Sequence, residues 1–120
     1  MQRILTRTRL HDITFKRDGR ILIGSRLCRC INLQAGDCLG IAFHEGEYLV
    51  YAIKNAQGRQ VGRCYASKRS GATLCANSVE MARTMLEAAG VRMFKASFAA
   101  GEAYEDSGRK YIPLITKLPM

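Results

Sequence analysis

No uninterrupted apolar run in this chain approaches the ~20 residues a bilayer-spanning helix requires, so no membrane partner is expected. The N-terminal stretch MQRILTRTRL is broken by Arg and Thr and lacks the apolar segment of a secretory signal. Together these absences predict a cytoplasmic protein. Paired cysteine spacing is missing too: the five cysteines, Cys28, Cys30, Cys38, Cys64 and Cys75, are odd in number and follow no disulfide framework. They read as reduced core thiols.

Metal and catalytic signatures are also lacking. Cys28 and Cys30, with Cys38 and His44 downstream, do not have zinc-site spacing, because two residues apart on a helix the side chains point about 200° apart. No metal and no cofactor is expected. There is no Gly-x-Ser-x-Gly, no paired-carboxylate pattern and no phosphate loop, and His11 and His44 each stand alone. His44, beside Glu45-Gly46-Glu47, reads as a strand-end histidine, and the chain reads as non-enzymatic.

Acidic residues are few. Ten Asp and Glu stand against nineteen Lys and Arg, a formal charge of +9 over 120 residues, which is a length suited to one domain. Residues 1–29 carry eight cations and two acids, and residues 59–69 carry Arg59, Arg63, Lys68 and Arg69 with no acid. The rest of the chain is close to neutral. Positive charge gathered in two segments favours a polyanionic partner, because neutralising phosphates releases their counterions.

The order of elements can be read from pattern. Ile13 and Phe15 alternate with Thr14 and Lys16 as in a half-buried strand, Asp18-Gly19 makes a turn, and RILI is a second short strand. Ser25 is a candidate N-cap for a short helix with Leu27 and Ile31 on one face, closed by LQAGD. CLGIAFH and YLVYAI flank the turn EGE as a hairpin. VGRCYA and ATLCA follow as strands around SKRSG. Asn77 or Ser78 then caps the clearest helix, over 78–89, whose apolar stripe is Val79, Ala82, Met85, Leu86 and Ala89, with Gly90 as its end. VRMFKASF and RKYIPLIT are the last strands. Pro113 lacks a donor, which places that strand at an edge or turns its nitrogen outward.

This is strand, strand, helix, strand, strand, written twice. At an offset of 52, Lys16-Arg17 falls on Lys68-Arg69, Gly19 on Gly71, Leu22 on Leu74 and Leu33 on Met85. The expected organisation is one domain over 1–120, with a basic arm at 1–11 and repeat units at 12–54 and 61–116.

Within residues 12–54, Gly19-Arg20, Ile21, Ile23, Leu27, Leu33, Gly36-Asp37, Leu39 and Ile41 fall at a recognisable spacing. The segment GRILIGSRLCRCINLQAGDCLGIAFHEGEYLVY resembles the AbrB-like swapped-hairpin (looped-hinge) family of DNA-binding barrels. It differs in having Gly24 where the family usually has Pro at the strand-to-helix junction, and Cys28 where the first helix tends to carry another basic residue. The resemblance implies a mostly β, α+β fold: a swapped-hairpin-like barrel of two pseudo-two-fold ββαββ units in one chain, an arrangement of the MraZ type. It also implies a small regulator that contacts double-stranded DNA through basic turns at Lys16, Arg17, Arg20, Arg26 and Arg29, joined through the repeat by Lys68 and Arg69. Because family members usually build the barrel from two chains, a homodimer is a further expected partner. The reading from a different class is a protein-interaction module, antitoxin-like or an assembly partner, using the same barrel.

Overall fold

The computed structural model describes residues 12–54, 62–67, 73–90 and 94–115 of the chain. The chain opens with β1 (Ile13–Lys16) and β2 (Arg20–Ile23), antiparallel neighbours whose alternation puts Ile13, Phe15, Ile21 and Ile23 on one fully buried face. A short helix, α1 (Ser25–Ile31), buries Leu27 and Ile31. Gly24, not Ser25, holds the N-cap position of α1, and no side chain caps it, so Ser25 is its first helical residue.

β3 (Cys38–His44) and β4 (Glu47–Ile53) form the expected hairpin around Glu45-Gly46. Both turn residues have positive φ, 51° and 83°, the pattern of a type I′ turn, whose twist matches the flanking strands. β5 (Tyr65–Ala66) is much shorter than the VGRCYA pattern predicts. The residues just before it bond on both sides, Gly62 N–H donating to the Asn77 carbonyl at 3.1 Å while other groups reach 36–39. Leu39 N–H donates to the Gly62 carbonyl at 2.8 Å, Cys64 N–H to Asp37 at 2.8 Å, and Gly36 N–H to Cys64 at 2.9 Å.

β6 (Leu74–Asn77) leads into α2 (Val79–Ala88). Of the two candidate caps, Ser78 is the one used: its hydroxyl accepts from Met81 N–H at 3.1 Å, while Asn77 stays in β6 opposite Arg20. Ala82, Met85 and Leu86 are buried as their spacing predicts, and Val79 is half exposed. β7 (Lys95–Ala100), β8 (Tyr104–Asp106) and β9 (Arg109–Ile115) complete the chain, β8 and β9 being joined by a second positive-φ pair, Ser107-Gly108.

All strand pairings are antiparallel, in the order β3-β4-β9-β7-β1-β2-β6-β5, with β8 also against β9. The isolated bridge between Cys38 and Arg63, with the bonds between 36–39 and 62–64, draws the two ends of this order toward each other. The fold is thus mostly β, a curled antiparallel half-barrel sheet with two helices among the described residues. Phe15 and Phe98 meet edge to face inside the curl, with ring centroids 5.7 Å apart. Burying side chains of this size contributes roughly 1.5–3 kcal/mol each relative to exposure.

Pro113 is not in an edge strand, since β9 lies between β4 and β7. The missing donor is accommodated where β7 leaves β9. Gly101 N–H donates to the Pro113 carbonyl at 2.8 Å, and the chain bulges through 101–103 before β8 resumes pairing one residue out of step.

Candidate nucleic-acid interface

The alternation that turns Ile13, Phe15, Ile21 and Ile23 inward turns Thr14, Lys16, Arg20 and Leu22 to the outer surface of the curl. Strand pairing extends that surface sideways. Arg20 is opposite Asn77 on β6, Lys16 is opposite Lys95 on β7, and Thr14 shares a 2.8 Å hydroxyl hydrogen bond with Ser97. One position beyond the Phe15–Ile21 pair, Lys16 and Arg20 stand side by side. Asn77, Arg20, Lys16 and Lys95 therefore form one transverse row across four strands. The exposed Tyr65 closes the β5 end of the face, its phenolic oxygen accepting from Asn77 Nδ2 at 3.2 Å.

The β1–β2 turn is held rigidly. Gly19 N–H closes it on the Lys16 carbonyl at 2.8 Å, and the Gly19 carbonyl accepts from Ser78 N–H at 2.8 Å, which docks the turn onto the start of α2. Gly19 has a φ of 104°, and a Cβ there would lie 2.8 Å from Val79 Cγ2. Arg17 is tied to the far strand through its backbone N–H, 2.6 Å from the Phe94 carbonyl.

The turn is less positive than its cations alone imply. Asp18 Oδ1 accepts from Arg20 N–H at 3.1 Å and Oδ2 from Arg20 Nε at 2.9 Å. The Arg20 backbone N–H is the main reason the Asp18 carboxyl is held below its ordinary range, aided by the Arg20 side chain and the charge of Lys16.

Arg26 has an intramolecular role. Its Nε and Nη2 reach the two carboxylate oxygens of Asp12 at 3.2 and 3.0 Å, and Nη2 also donates to the Ala100 carbonyl at 2.6 Å. The hydrogen bond to Asp12 raises the guanidinium pKa further. Asp12 is itself buried and accepts Ala100 N–H at 2.8 Å, so the pair clasps α1 to the end of β7. Arg29 is exposed on α1, which packs against β9. Lys68 and Arg69, and the basic arm 1–11, lie outside the described residues.

Of the expected contact residues, the structure brings Lys16, Arg17 and Arg20 together. It adds Lys95, Asn77 and Tyr65, which the sequence reading did not select. Outward parity in the strand KASFAA marks Lys95 as a surface residue, but nothing local says that β7 lies beside β1. All ten acidic residues but only eleven of the nineteen cations fall in the described ranges, so the other segments carry eight cations and no acid.

All five thiols are free. Burial pushes the Cys28 thiol up to about 11 and the Cys64 thiol up to about 12, the latter with smaller contributions from Cys28 and Cys38 nearby. Among the described residues no group of three or more His, Cys, Asp or Glu is arranged to hold a metal ion, and no helix is long and apolar enough to cross a membrane. No protein-family model matches this chain, and no curated protein or solved structure matches it either.

Proposed function

We propose that this protein is a small regulator that binds double-stranded DNA across the outer face of β1, β2, β6 and β7. The observation that carries the reading is the direct opposition of Lys16 and Lys95. Like charges directly opposite on neighbouring strands destabilise a sheet. A phosphate lying across the pair meets two cations on adjacent strands at once. Arg20 and Asn77 extend the row, Arg20 offering a forked donor and Asn77 an amide suited to phosphate or base edges. The eight cations in the acid-free segments add to the attraction for a polyanion.

In this reading the chain is a tandem AbrB-like barrel of the MraZ type, with units at 12–54 and 61–116. Support comes from the repeated element order, with β8 as an addition in the second half. It comes also from the way β2 pairs with β6 and β4 with β9, as two strands related by a pseudo-two-fold axis would. Electrophoretic titration against random-sequence duplex at 50 and 200 mM salt tests the function. Binding should weaken by about 10³-fold or more over that range if six or more phosphates are neutralised. Salt-insensitive or undetectable binding at 50 mM would overturn the regulator reading.

A further inference from the structure

Two side chains of the outer row are each held by a second side chain. Asp18 Oδ2 accepts from Arg20 Nε at 2.9 Å, and the Tyr65 hydroxyl accepts from Asn77 Nδ2 at 3.2 Å. The lysines of the row differ in kind, since an ammonium on a four-carbon stem is a compact charge with rotatable donors. Arg20 and Asn77 are direct partners on β2 and β6, so their side chains leave the same face of the sheet about 5 Å apart.

The way each group is held fixes what it can bond next. Asp18 takes the inner nitrogen of the guanidinium, which leaves the Nη1–Nη2 end as the edge of the fork that can make two parallel bonds. The carboxylate is itself anchored, its Oδ1 accepting from the Arg20 backbone N–H at 3.1 Å. An exposed ion pair of this kind contributes little to stability, so what the Asp18 contact chiefly changes is the direction of the guanidinium. Tyr65 engages one donor of the Asn77 amide, leaving the amide oxygen and a second N–H. Both edges match bases in the major groove of a duplex. Two donors side by side fit O6 and N7 of guanine, and an amide oxygen beside an N–H fits N6 and N7 of adenine. A separation of about 5 Å lies between one base step of ~3.4 Å and two.

We infer that Arg20 and Asn77 are the base-reading pair of this face, Arg20 selecting a guanine and Asn77 an adenine within two base pairs of it. Asp18 and Tyr65 are their positioning residues, and Lys16 and Lys95 contact phosphates. The inference rests on the duplex binding proposed above and adds the sequence preference of the same face. Asp18 then has two opposed effects. Its carboxylate repels the phosphates of every duplex, yet it holds the fork in the geometry that guanine requires.

The test selects duplexes bound by the full chain from a pool randomised over its central positions, then titrates the enriched duplex and its single-base variants. Enrichment of a guanine and an adenine within two base pairs is expected. Arg20→Ala should reduce the guanine preference alone and Asn77→Ala the adenine preference alone, each about tenfold, and Tyr65→Phe should lower the adenine preference in part. Asp18→Asn keeps an acceptor for the Arg20 backbone N–H but removes the carboxylate from Nε. It should bind random duplex more tightly at about 50 mM salt while its discrimination for guanine falls about tenfold, an opposition that a role in folding alone would not produce. Lys95→Gln should weaken every sequence equally and leave both preferences in place. Far-ultraviolet circular dichroism of each variant separates a lost contact from a lost fold. Salt-sensitive duplex binding without these base preferences overturns the inference and leaves the duplex-binding reading standing. So does an Asp18→Asn protein that discriminates guanine as well as the native chain. Absence of salt-sensitive duplex binding overturns both.

Discussion

Lys16 and Lys95 face each other directly across the β1–β7 ladder, at the end where the β1–β2 turn docks onto α2. The pairing sets the two lysines on neighbouring strands of the outer surface, with Arg20 on the other side of Lys16. Lys95→Gln should leave the fold as stable or more stable by a few tenths of a kcal/mol, measured by urea unfolding. The same change should weaken duplex binding at all sequences and reduce the salt slope by about 0.9, the value of one phosphate contact. Unaltered binding together with unaltered slope would remove Lys95 from the interface.

Arg26 should behave in the opposite way. Arg26→Ala leaves the buried Asp12 carboxylate without its guanidinium and the Ala100 carbonyl without that donor. Because the guanidinium is partly exposed, water replaces some of what is lost, and a destabilisation of about 1–3 kcal/mol is expected in place of the larger cost of breaking a fully buried pair. Duplex affinity, compared at a temperature where both proteins are folded, should change less than it does for Lys95→Gln.

Gly19→Ala tests how firmly the turn is seated. The substitution puts a side chain into a left-handed conformation and drives its Cβ to 2.8 Å from Val79 Cγ2 and 3.1 Å from Val79 N. A cost of about 1–3 kcal/mol is expected from backbone strain and displaced packing. Adding Val79→Ala should recover only part of it, since the contact with the Val79 backbone and the strained φ both persist. Full recovery in the double variant would show that side-chain crowding alone makes Gly19 necessary.

The buried thiols predict an alkaline weakness. The folded pKa values of Cys28 and Cys64 lie above the ordinary thiol value of 9.0, so the folded state keeps protons that the unfolded state loses. Stability is therefore intact below about pH 9 and falls as pH rises toward the folded values of about 11 for Cys28 and 12 for Cys64. Urea midpoints at pH 8 and pH 10 should differ, and the difference should shrink in Cys28→Ala/Cys64→Ala. In the native protein at pH 8, Cys30, the one cysteine that is not buried, should react first with a disulfide reagent.

Much of the local structure is legible in residues close together in the chain. Asp18-Gly19, Glu45-Gly46 and Ser107-Gly108 mark turns because few other dipeptides tolerate the backbone they adopt. The stripe Ala82, Met85, Leu86 and the Ser78 cap define α2 within a single segment. Alternation alone turns Lys16 and Arg20 outward. What tertiary structure decided is which surfaces meet. The sheet's long-range hydrogen bonds set Lys95 beside Lys16, brought Asp12 under Arg26, tied 62–64 to 36–39, and placed Pro113 inside the sheet opposite a bulge. Main-chain donors and acceptors are alike at nearly every position, so local pattern says that a strand exists and which way its side chains face. Its neighbour is settled only when the whole curled sheet closes on one core.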